Sequence, residues 1–131
     1  MRVLRPLILL VGFVSIVIVV AMYPATRGAA GAGPAAVNSP PIANDDTFNR
    51  HGSGYVGPLL ANDYDPDGDP MHVQILTFPA HGTLSGVDGD TFYYQLNNLS
   101  FTGTDTFTYE ACDNQNACSN PATVALNIVN A

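Results

Sequence analysis

The chain is 131 residues long, room for one modest domain plus an N-terminal segment. It carries four basic residues against 11 acidic ones, a formal charge of −7. A surface of that sign repels the phosphates of nucleic acid and anionic lipid, which excludes nucleic acid as a partner and the lipid surface as a docking site.

Arg2 and Arg5 precede Leu7–Met22, an apolar run of 16 residues without a charge. Small residues follow, and Ala30-Gly31-Ala32 fits an A-x-A cleavage site. This is the layout of a secretory signal peptide. A spanning helix wants about 20 apolar residues, so the run also suits a short retained anchor helix. Residues 1–32 are therefore read as signal peptide or N-terminal membrane anchor, the membrane being touched only through residues 7–22 if they are not removed. The basic flank comes first, which places the rest outside the cytoplasm, secreted or at the cell surface. Residues 33–41, rich in Ala, Gly and Pro and ending in Ser39-Pro40-Pro41, read as a linker. Beyond residue 32 the only basic residue is Arg50, set against all 11 acids, a formal charge of −10.

Residues 42–131 carry a hydrophobic signal of period 2. Phe107, Tyr109 and Ala111 share one face while Thr106, Thr108 and Glu110 take the other; Val124, Leu126 and Ile128 alternate with Ala125 and Asn127; Val73 and Ile75 alternate with His72 and Gln74. Half-buried antiparallel strands read this way, and no window of 11 residues carries a helical stripe. Turn residues recur every 8–12 positions. Strands are expected over 45–50, 54–60, 71–77, 82–87, 91–95, 105–112 and 121–129. The fold class is all-β: a seven-stranded immunoglobulin-like Greek-key sandwich over residues 42–131. Its inward residues should be Leu59, Val73, Ile75, Leu84, Phe92, Tyr94, Phe107, Tyr109, Val124, Leu126 and Ile128.

In such a strand order successive connections alternate between the two ends of the sandwich. Nine of the 11 acids then gather at one pole: Asp45 and Asp46, Asp63, Asp65, Asp67 and Asp69, Asp88 and Asp90, and Asp113. Asp105 and Glu110 are the exceptions. The densest part is Asn62-Asp-Tyr-Asp-Pro-Asp-Gly-Asp69. Hard carboxylate oxygens at this spacing suit calcium, and a solvated Asp/Gly turn accounts for them equally well. Counted from Asp63 the run imitates a helix–loop–helix calcium loop, but Gln74 stands where that loop needs a bidentate Glu, and a strand follows. The candidate calcium ligands are Asn62, Asp63, Asp65, Asp67 and Asp69, with Asp45 and Asp46 from the neighbouring segment.

Cys112 and Cys118 enclose five residues, so they are not a C-x-x-C pair. In an exported chain the default is a disulfide, here closing a short hairpin and contributing about 2 kcal/mol. No histidine lies near them in sequence to complete a zinc site. His51, His72 and His81 fall on separate predicted elements, no nucleophile–histidine–acid set or G-x-S-x-G is present, and no apolar pocket is indicated that would raise a carboxylate pKa. The chain is read as non-enzymatic. Asn98-Leu-Ser100 is a lone glycosylation sequon. Tyr55 and Tyr64 are the tyrosines free to meet a sugar.

Taken together, Pro41-Ile-Ala-Asn-Asp-Asp46, Leu59-Leu-Ala-Asn-Asp-Tyr-Asp-Pro-Asp-Gly-Asp-Pro70, Pro79-Ala-His-Gly-Thr-Leu84, Asp90-Thr-Phe-Tyr-Tyr94, Phe101-Thr-Gly-Thr-Asp-Thr-Phe-Thr-Tyr109 and Ala122-Thr-Val occur in order. In this the segment 41–130 resembles the cadherin-like, immunoglobulin-like tandem repeat of bacterial surface proteins, the type also found in VCBS-containing adhesins. The resemblance implies a β-sandwich of extracellular adhesins with calcium at the Asp-rich ends, and a protein or glycan partner at the cell surface. By position, Asn62, Asp63, Asp65, Asp67 and Asp69 match its acidic loop, and Asp45 and Asp46 its acidic start. The family usually strings copies together; here there is one. A secreted carbohydrate-binding module, or an accessory domain of an extracellular hydrolase, is the alternative.

Overall fold

A computed structural model describes residues 33–129. The expected signal peptide or anchor over 1–32 lies outside the described residues; among those described, no helix is long and apolar enough to cross a membrane. The strands are β1 (Asp46–Arg50), β2 (Gly54–Val56), β3 (His72–Thr77), β4 (Gly82–Asp88), β5 (Thr91–Leu96), β6 (Gly103–Cys112) and β7 (Ala122–Ile128). They form two sheets, one ordered β1-β7-β6-β3 and the other β2-β5-β4. Inward residues from both sheets make one core: Val56, Leu59, Tyr94, Phe107, Tyr109, Ala111, Val124 and Leu126 are fully buried, with Val73, Ile75, Leu84 and Phe92 packed against them. All of the expected inward residues lie in or against this core.

Two expectations are corrected. The strand over 54–60 ends at Val56; after Pro58 the chain turns through one turn of 3-10 helix, Leu59–Asn62. Leu59 is still buried, so its apolar character signals the core and not a strand. The second correction concerns β1, which pairs with β7 in parallel, Asp46 opposite Val124 through Arg50 opposite Ile128. Side-chain alternation is the same in either direction, so the pattern of β1 did not reveal its sense.

At the end of the sandwich away from the acidic loop, Asp105 is buried, 2% exposed. Its carboxylate accepts hydrogen bonds from the Tyr94 hydroxyl (2.9 Å) and from the backbone N–H groups of Ala80 and His81 (2.9 Å each). Its Oδ1 lies 3.4 Å from His81 Nδ1, and the His81 ring stacks on Phe101 at 3.9 Å. Burial pushes the Asp105 pKa up; the bonds from Tyr94, His81 and Ala80 outweigh it and hold the carboxyl below its ordinary value. The carboxylate thus bolts the Pro79–His81 turn to both sheets.

Gly82, which opens β4, lets the chain pass directly over Tyr94. A Cβ there would overlap the Tyr94 ring and stand 2.8 Å from the Gln95 carbonyl oxygen. Gly82→Ala is therefore expected to destabilise the fold by about 1–3 kcal/mol, as overpacked sites do; equilibrium urea unfolding measures it, and an unchanged midpoint would contradict the tight packing.

Candidate functional site

The segment entering β1, the loop between β2 and β3, and the β6–β7 hairpin meet at one end of the sandwich. The loop builds itself first. Asp65-Pro66-Asp67-Gly68 is a β-turn, closed by the Gly68 N–H to the Asp65 carbonyl (3.2 Å), with Pro at its second position and Gly68 at φ 82°. Asp65 Oδ1 accepts from the N–H groups of Asp67 (2.8 Å) and Asp69 (3.1 Å). Asp65 Oδ2 is turned inward; among the described residues it is the buried side-chain oxygen that has no hydrogen-bond partner.

Neighbouring segments then dock on this loop. Asp67 Oδ2 accepts from the Ser39 N–H (2.6 Å), and Asp69 Oδ2 from Gln115 Nε2 (3.0 Å). Asp63 Oδ1 accepts from the Asn44 N–H (2.8 Å), while Asn44 Nδ2 donates to the Asn62 carbonyl (2.7 Å) and Asn62 Nδ2 to the Asp45 carbonyl (3.1 Å). Asp45 Oδ1 accepts from the Thr123 N–H at the start of β7 (2.7 Å). Ile42 and Tyr64 exchange a pair of backbone bonds. Six of the seven candidate ligands thus make hydrogen bonds at this end of the sandwich, and Asp46 meets them through Tyr109. Asp113 joins them through Asn38, whose amide donates to Asp113 Oδ2 (2.7 Å). That bond, with burial opposing it and the turn N–H groups of Ala117, Gln115 and Asn116 assisting, holds the Asp113 carboxyl below its ordinary value. The β4–β5 hairpin meets the same end through its backbone, the Asp90 carbonyl accepting from the Leu59 N–H (3.0 Å).

The hydroxyl of Tyr109 is the residue that sequence reasoning assigned wholly to the core. Its ring is buried with Phe107, and its Oη emerges among four oxygens: Asp63 Oδ2 at 2.7 Å, the Leu59 carbonyl at 3.1 Å, Asp46 Oδ2 at 3.2 Å and the Asn44 carbonyl at 3.3 Å. A phenol has one proton to give. Four acceptors compete for that one proton, so at any moment three of the oxygens face Oη without it. The electrostatics record the crowding. Burial raises the Asp46 pKa from 3.8 to about 6, the Tyr109 hydrogen bond opposing and the charges of Asp63 and Asp45 adding to the rise. Burial and the same carboxylates push the Tyr109 phenol far above its usual range. A buried tyrosine needs a partner for its hydroxyl, and that need was the signal available in the sequence.

The family model of the bacterial cadherin-like domain matches residues 38–130. The chain belongs to this family. No curated protein matches it significantly. Among solved structures it is similar to an endo-fucoidan hydrolase, MfFcnA4, of glycoside hydrolase family 107, at 16% identity and a TM-score of 0.45, over 72% of this chain and 14% of the hydrolase. The bacterial cadherin-like domain of this chain thus spans about one seventh of that enzyme's length.

The predicted disulfide is present: Cys112 and Cys118 are bonded and face each other as an isolated antiparallel bridge at the base of the β6–β7 hairpin. The antiparallel register of β3 on β6 sets His72 opposite Cys112 in the backbone pairing.

Proposed function

We propose that this chain is an exported, non-enzymatic β-sandwich module of cell-surface adhesion or structural assembly, stabilised by calcium at its acidic pole, with a cell-surface protein or glycan as partner. Membership of the bacterial cadherin-like family supports the module reading, and the disulfide fits an oxidising, extracellular setting. The observation that carries the calcium reading is the buried, unpartnered Asp65 Oδ2 in a loop that already spends its backbone donors. A buried carboxylate oxygen left alone is costly, and an all-oxygen donor set of carboxylates and carbonyls is what calcium takes. Asp63, Asp65, Asp67 and Asp69, with Asn62, Asp45 and Asp46, are the residues that would hold it. Bound there, calcium would supply positive charge to oxygens that lack hydrogen-bond donors.

A carbohydrate-binding module is the second reading. Tyr55 and Tyr64 are 60% and 54% exposed, but Tyr55 meets Tyr93 edge-on, with ring centroids 5.3 Å apart and planes at 78°, so the pair offers no flat platform for a sugar ring.

Thermal unfolding with a chelator and with calcium tests the first reading. Calcium at 100 times its dissociation constant should add about 2.7 kcal/mol, a rise of roughly 10 °C or more for a domain of this size. No rise in Tm would leave the acids as a solvated turn. The rise should depend on pH in a stated direction. Asp46 has a folded pKa above its unfolded one, so without calcium its contribution to stability is full below about pH 4 and is lost as pH climbs through about 6. Calcium competes with that proton. Its stabilisation should therefore be small at about pH 5 and full above about pH 7.

A further inference from the structure

The two sheets end in four edge strands, and three of them are blunted against further pairing. β1 carries Asp46 and Arg50, β2 is three residues long, and β4 holds Gly82, Gly86 and Asp88 with a register shift near its end. β3 is different. His72-Val-Gln-Ile-Leu-Thr77 contains no acid, lysine, arginine, proline or glycine, and it pairs with β6 alone. Among the described residues, no loop or turn backbone hydrogen bond goes to it.

The apolar side chains of β3 are also left without full cover. Val73 and Ile75 pack against the core but stay half-buried, whereas Phe107, Tyr109, Val124 and Leu126 on the neighbouring strands are fully buried. Beyond them Leu76 is 39% and Phe78 69% exposed. The register shift between Ile75 and Thr77 limits the regular edge to His72–Ile75. Free backbone groups beside half-covered apolar residues are a template for one more strand.

We propose that this strand is β3 of a second copy of the chain, added antiparallel about a two-fold axis so that two four-stranded sheets become one of eight. The distribution of charge selects this orientation. The acidic loop precedes β3, so the acids of each copy lie at the His72 end, and the axis sends the two acidic poles to opposite ends. β6, ten residues long, spans about 33 Å, several times the screening length of about 8 Å at physiological salt. A parallel neighbour would instead set the poles side by side. The side chains select the register. Centring the axis on Gln74 sets Val73 of each copy against Ile75 of the other, so all four half-buried side chains gain cover on the core face. On the outer face Gln74 meets Gln74 of the second copy, two neutral amides that each donate and accept. The regular edge is short, so the contact belongs to the weak, reversible class that buries less than about 1,200 Å².

Sedimentation equilibrium of the full chain, carried to millimolar concentration, tests this. The parent should show reversible monomer–dimer association. Gln74→Lys and Gln74→Glu, both changes of an exposed side chain, should each weaken it about fivefold, because like charges then face each other across the axis. An equimolar mixture of the two variants should associate more tightly than either alone, as a heterodimer of opposite charges. Association through another part of the chain would not tell the mixture from its components. Variants that associate as the parent does, or a mixture no tighter than its components, would overturn the proposal. So would a parent that stays monomeric, which would leave β3 as an edge for a foreign strand.

Discussion

Asp105→Ala should lower the stability of the sandwich by about 3 kcal/mol, and Tm by more than about 10 °C. The change strips the acceptor from the buried Tyr94 hydroxyl and from the part-buried N–H groups of Ala80 and His81. Asp105→Asn should recover only part of the loss, because its amide nitrogen brings hydrogens to a place where donors already converge. Tyr94→Phe, which removes one of the three donors, should cost less than either. Urea unfolding of the full chain orders the three variants; an Asp105→Ala chain as stable as the parent would show that the carboxylate bolts nothing. The pH dependence has its own sign. The folded pKa of Asp105 lies below the unfolded one, so its stabilisation is fully present above the ordinary carboxylate range and disappears as pH falls through the folded value. Asp46 at the other end behaves in the opposite sense.

Asp65→Asn should abolish the gain in Tm that calcium gives, removing about 2.7 kcal/mol at an excess of 100 times the dissociation constant. In a chelator the same variant should be no less stable than the parent. The retained Asn Oδ1 still accepts from the N–H groups of residues 67 and 69, while a neutral amide replaces a buried carboxylate oxygen that has no hydrogen-bond partner. A mutation that is neutral or favourable without the ion and costly with it has a signature that loss of packing cannot imitate. If Asp65→Asn destabilises the chain equally in chelator and in calcium, the loop is a structural turn and the ion plays no part in it.

Most of the sandwich was legible because its strands bury one face. Phe107, Tyr109 and Ala111, or Val124, Leu126 and Ile128, fix which way β6 and β7 look without any knowledge of their neighbours. The gathering of acids followed from the strand order, since alternate connections return to the same end. Asp105 was legible in principle: it shares the parity of Phe107 and Tyr109, and an acid in phase with two core aromatics must find buried donors. What alternation could not give was anything set by register or by direction. The parallel sense of β1, the backbone pairing of His72 with Cys112, and the four oxygens around Tyr109 all depend on which residue stands beside which across a gap in sequence. Leu59 misled for another reason, being buried from a turn where a strand was expected.

The parallel pairing of β1 with β7 has a mechanical consequence. The chain enters the sandwich through β1 at the acidic pole and leaves through β7 at the far end, and these two strands lie side by side over five residue pairs. A pull on the two ends runs along the strands, so it loads every rung of that ladder at once in shear instead of peeling rungs one by one. The contacts of residues 38–44 with the acidic loop and the β6–β7 hairpin meet the force first, and behind them the ladder resists as a unit.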